Sequence, residues 1–157
     1  MPYHLRRRDD DTWEAFDRLD SAFEWEPMLA TPDEVVRLDL REVRGVSSGG
    51  LQRLMTLIRT TKEQGRRIRF IACPIDLVDA FNNIATMGAP YAEIVESFQA
   101  PYECANCLKE RIVLLSVDEA RSRPKPDVAP ARRCASCGAP MAFPVGASEY
   151  FGFLDGE

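Results

Sequence analysis

The rhythm of hydrophobic and polar positions divides the chain into three stretches. In residues 1–33 a charged run is followed by Trp13, Phe16, Leu19 and Phe23, with Asp20 beside Leu19. That spacing predicts an amphipathic helix packed on a core, with Asp11 as N-cap, Glu14 three residues later, and Pro27 and Pro32 closing it. Residues 34–100 then read as alternating strand and helix. Glu34–Leu40 is strand-like, Ser47-Ser48-Gly49-Gly50 is a turn, and Leu51, Leu54, Met55, Ile58 and Thr61 recur at helical spacing. Ser47 or Ser48 can cap that helix, and Gly65 stands where a left-handed C-terminal cap belongs. Arg67–Cys73 forms the next strand. Pro74 suits the first turn of a helix carrying Ile75, Val78 and Phe81, which Gly88 stops. This order predicts a parallel pair of strands joined by a right-handed crossover.

From about residue 101 the helical period disappears. Short β-like runs take its place at Ile112–Val117, Met141–Phe143 and Tyr150–Leu154, and Arg121–Arg133 between them reads as an exposed loop rich in proline and arginine. The expected organisation is an α/β domain with an N-terminal helix over 1–100 and a small β-rich module over 101–157.

Composition narrows the class. With 157 residues, 45% hydrophobic and 29% charged, the chain is long enough for one compact domain plus a small module. A net charge of −5 argues against a general nucleic-acid binder. No apolar run is long enough to span a bilayer, and the N-terminal arginines are not followed by an apolar stretch, so the expected location is the cytoplasm. Thiols stay reduced there, which favours metal binding over disulfides.

The candidate chemistry lies in the cysteines. Cys104-Ala-Asn-Cys107 and Cys134-Ala-Ser-Cys137-Gly138 are two Cys-x-x-Cys pairs, and Gly138 can supply the positive φ that such a knuckle needs. Four thiolates satisfy one tetrahedral Zn²⁺ and leave no position for water, which points to a structural ion. A redox dithiol would be expected at the start of a helix in a βαβ unit, and these pairs sit among β-like runs. The one histidine, His4, is far from them in sequence. Cys73 ends a predicted buried strand and reads as a small core residue.

The segment from Leu38-Asp39-Leu40 through Ser47-Ser48-Gly49-Gly50-Leu51, the following helix with Gly65, and the strand Ile68–Ala72 resembles the STAS domain. That fold is shared by anti-sigma factor antagonists and the cytoplasmic tails of sulfate transporters. The resemblance covers about residues 34–90. It implies that Ser48 stands at the position phosphorylated by a partner kinase that doubles as an anti-sigma factor. Ser47, in the place of the family's usual acidic residue, with Gly49 and Gly50, would complete the partner surface. A serine at a helix N-terminus is also an ordinary cap, and both readings of Ser48 stay open.

The function expected on this basis is a non-enzymatic interaction module: a STAS-like domain followed by a zinc ribbon. It would bind a kinase, an anti-sigma-like protein or a scaffold component in a partner-switching system. No Ser/His/Asp set or paired carboxylates at a catalytic turn suggest an enzyme. The alternative is nucleic-acid binding through the zinc module and its basic loop, Arg121, Arg123, Lys125, Arg132 and Arg133.

Overall fold

A computed structural model of the chain describes residues 5–84 and 91–155. The fold is mixed α/β with two sheets. Strands β1 (Leu5–Arg7) and β2 (Trp13–Leu19) form an antiparallel hairpin. They are followed by the short helix α1 (Glu26–Leu29), strand β3 (Val35–Val46) and helix α2 (Ser48–Glu63). Next come β4 (Arg67–Ile71), α3 (Ile75–Ile84) and α4 (Tyr91–Ile94). Beyond them lie β5 (Ser97–Cys104), β6 (Glu110–Ser116), α5 (Val117–Arg121), β7 (Met141–Ala142), α6 (Ala147–Tyr150) and α7 (Gly152–Asp155).

The first sheet has the order β1-β2-β3-β4, with β2, β3 and β4 mutually parallel. Val36, Leu38, Leu40, Ile68 and Phe70 present one buried face, and Leu54 and Leu57 of α2 and Leu77, Val78 and Phe81 of α3 belong to the same core. Phe70 stacks on Phe81 at 6.5 Å. The residues between these on β3 and β4 carry charge: Arg37 pairs with Glu96 at 2.7 Å, and Asp39 with Arg8 at 3.1 Å. A sheet with one apolar face accepts helices on that side only.

The expected N-terminal helix is a strand. Asp11 sits at φ 65° in the hairpin turn, where the Arg8 N–H donates to the Thr12 carbonyl at 2.8 Å. Trp13, Ala15 and Leu19 are buried. The register shifts between Asp17 and Arg18, with Asp17 at φ 62°. The extra residue of this bulge is Arg44, on β3, so β2 keeps its alternation through buried Trp13, Ala15 and Leu19. Half-buried Phe16, three residues from both Trp13 and Leu19, is what imitates a helical period. Pro27 does not close a helix: it stands in the first turn of α1.

The predictions for 34–84 agree better with the structure. Strand β3 begins where expected but runs on to Val46, along the part of β2 beyond the bulge. Ser47 caps α2, whose first turn takes in Ser48, Gly49 and Gly50 in place of a separate turn. Gly65 has φ 69°, and the Arg66 N–H closes the helix end on the Thr61 carbonyl at 3.0 Å. Pro74 immediately precedes α3, and Leu77 and Val78 donate to its carbonyl. His4 and Gly88 lie outside the described residues.

Strand β5 is shared. Its beginning continues the first sheet through parallel bridges Phe70↔Val95 and Cys73↔Phe98, and its length is the middle of the second sheet, of order β6-β5-β7. Position 100/101 therefore falls inside a strand. The Tyr150–Leu154 run is not β but two helical turns. Tyr150, Phe151, Phe153 and Leu154 are all buried, and the spacing i, i+1, i+3, i+4 places them on one side only in a helical conformation. The three rings surround Phe98 of β5, and Asn82 of α3 holds the Tyr150 carbonyl and the Phe153 N–H.

Candidate functional site

Each cysteine pair folds as a knuckle, and the two are copies in hydrogen bonding. In the first, the Leu108 N–H donates to the Cys104 carbonyl at 2.8 Å and the Cys104 N–H to the Lys109 carbonyl at 3.0 Å. In the second, Gly138 donates to Cys134 at 2.8 Å and Cys134 to Ala139 at 2.8 Å. The end of β5 positions the first knuckle, and the Met141–Arg132 bond and the Arg133↔Pro140 bridge tie down the second.

The four Sγ atoms lie within 4.8 Å of one another, with Cys104–Cys137 at 3.5 Å and Cys107–Cys134 at 3.9 Å. A tetrahedron of sulfurs about 2.3 Å from its centre has edges of about 3.8 Å, so this cluster has the size to hold a metal ion. A disulfide needs sulfurs about 2.05 Å apart, and all of these cysteines are free. Cys104 and Cys134 are buried, and Cys137 is exposed. Backbone N–H groups of Cys137 and Ser136 aimed at Cys134 lower its thiol to about 6. The Asn106 side chain, then the Ala139 N–H, lower that of Cys137. Both favour the thiolate that a metal requires, whereas the hydrogen bonds of Cys107 with Cys137 and Cys104 push its thiol up to about 12 when no ion is between them.

One contributor is not evident from the sequence. The Arg111 guanidinium, on β6, lies against the thiols of Cys134 and Cys107 and donates to Ser136 Oγ at 2.9 Å. Four thiolates around a divalent ion carry a net charge of about −2, which a neighbouring guanidinium offsets. Only the register of β6 against β5 (Tyr102 opposite Arg111) brings it there.

The two knuckles differ at the residue after the last cysteine. Gly138 has φ 75°, whereas its counterpart Leu108 is held at φ 57° with its side chain 77% exposed. A β-carbon in the left-handed region costs about 1–2 kcal/mol, and Leu108 has little packing to offset that. Leu108→Gly is therefore expected to stabilise the protein by roughly 0.5–1 kcal/mol after the extra entropy of an unfolded glycine is counted. A higher denaturation midpoint at unchanged slope is the expected measurement.

Around the serine turn, Ser47 Oγ accepts from the Gly50 N–H at 3.1 Å and donates to the Leu19 carbonyl at 3.3 Å. Gly50 is buried and Gly49 and Ser47 half-buried, while Ser48 is exposed. The five residues of the basic loop have different environments. Arg132 pairs with Glu119, Arg133 donates to the Gly138 carbonyl at 3.0 Å, and Arg123 lies over the Phe151 ring at 4.8 Å. Arg121 and Lys125 are exposed. Cys73 is fully buried, and burial pushes its thiol pKa up, as suits an inert core residue. No helix among the described residues is long and apolar enough to cross a membrane.

Compared with protein-family models, curated proteins and solved structures, the chain matches none.

Proposed function

We propose that this chain is a non-enzymatic, cytoplasmic interaction module in which a STAS-like domain presents Ser48 to a protein partner. A single structural Zn²⁺ would hold the two knuckles. The observation that carries the reading is the setting of Ser48. It is exposed at the first turn of a 16-residue helix, while its neighbours Ser47 and Gly50 are taken up by the Leu19 carbonyl and the cap. A hydroxyl so placed is open to a kinase, and a phosphate there would add about −1.5 to −2 charges at the positive end of the helix dipole. The strand–helix alternation around Ser48, with parallel β3 and β4, supports the family likeness. The partner would then be a kinase, an anti-sigma-like protein or a scaffold component.

Zinc is the ion best suited to four thiolates in a closed tetrahedral set, and it needs no redox partner. Native mass spectrometry should find one zinc per chain. For the switch, proteins recovered on immobilised Ser48→Ala and Ser48→Asp chains should differ, with a partner held by the alanine form and lost from the aspartate form. Equal recovery on both would remove the switch.

A further inference from the structure

Strand β6 is the outer strand of its sheet and runs seven residues in unbroken register against β5. The bonds just beyond its ends, Val117 N–H to the Glu96 carbonyl and Cys104 N–H to the Lys109 carbonyl, fix its alternation. Odd-numbered residues turn their peptide groups to β5, so those of Glu110, Ile112 and Leu114 point outward. Among the described residues these outward groups have no partner. The side chains beside them are also uncovered, Ile112 being 50% and Leu114 45% exposed. Natural sheet edges are usually blunted by lysine, proline or a bulge, and β6 contains none of these.

We propose that β6 pairs with β6 of a second copy of this chain, antiparallel about a two-fold axis at Val113. The sequence of the strand is self-complementary in that register. Ile112 of each copy meets Leu114 of the other, Glu110 meets Ser116, and Arg111 meets Leu115, so no like charges face each other. Lys109 at the start of each strand is brought toward Asp118, just past the end of the other. Parallel pairing would bring like ends together, and a register centred on Arg111 would oppose two guanidinium groups. The result is an isologous, continuous sheet of six strands, β7-β5-β6 followed by its symmetry mate. This inference is independent of Ser48.

The test is sedimentation of the metal-loaded full chain under reducing conditions, over a wide range of concentrations. Wild type is expected to pass from one chain to two as concentration rises, with the amides of Ile112 and Leu114 exchanging more slowly in the two-chain form. Ile112→Lys and Leu114→Lys replace exposed side chains, so they should remain single chains and melt like wild type at concentrations where wild type is also single. A wild type that stays single at every concentration overturns the proposal. So does a dimer that both lysine variants still form. Slow exchange of these amides only in the presence of a different protein would assign the edge to a foreign strand and overturn self-pairing.

Discussion

Cys134→Ser removes one of the four thiols that the proposed zinc would take, and is expected to lose that ion and unfold the knuckle region. Apparent binding energies of structural zinc in small modules are about 10–16 kcal/mol. Little else holds the two knuckles together: Cys104, Cys107, Cys134 and Cys137 converge, but the surrounding 105–114 and 131–142 stretches are mostly exposed or half-buried. Limited proteolysis should cut between residues 105 and 141 in this variant, and in wild type treated with a strong chelator. Thiol titration gives a second readout. The loaded protein should react slowly, chelation should expose four thiols, and Cys73 should react only in denaturant, because it is fully buried with a raised pKa. Five reactive thiols in the loaded protein would contradict this picture.

Gly50→Ala is expected to destabilise the fold by about 3 kcal/mol or more. A β-carbon there would lie 2.0 Å from the Leu19 carbonyl oxygen, 2.4 Å from its carbon and 2.9 Å from the Asp20 nitrogen. All three atoms are backbone, so no rotamer change relieves the overlap. Alanine gains about 1 kcal/mol of helix propensity over glycine, which is too little to compensate. The same carbonyl accepts from the Ser47 N–H at 2.9 Å, so pushing it away also disturbs the cap that sets Ser48 in place. Gly45→Ala, with nothing within 4 Å of the added carbon, is the control and should melt near wild type. Calorimetric or chemical unfolding of the pair separates the two cases.

These two sites were legible in the sequence to different degrees. The cysteine knuckles were, because a repeated Cys-x-x-Cys spacing is a local signal that survives any fold around it. Ser47 as cap and Gly65 as helix terminator were legible for the same reason: each acts on backbone groups a few residues away. The need for glycine at position 50 was not, since its cause is Leu19, distant in sequence. Nor was β2, where half-buried Phe16, three residues from both Trp13 and Leu19, gives a false helical period on top of the alternation of Trp13, Ala15 and Leu19. The C-terminal aromatics gave the opposite error. Tyr150, Phe151 and Phe153 favour strands individually, yet the presence of Phe98 and Asn82 draws them into helical turns. Arg111 gave no signal in one dimension because its value lies in being carried across a strand pair to the thiols.

The dual membership of β5 bears on how the molecule can be taken apart. A cut at residue 100 or 101 would leave Phe98 on one fragment and Tyr150, Phe151 and Phe153, the rings around it, on the other. The cysteine-bearing fragment would keep Cys104 but lose the half of β5 that anchors it beside Cys73. Work on this chain therefore calls for intact protein with point changes, since neither half carries its own complete interior.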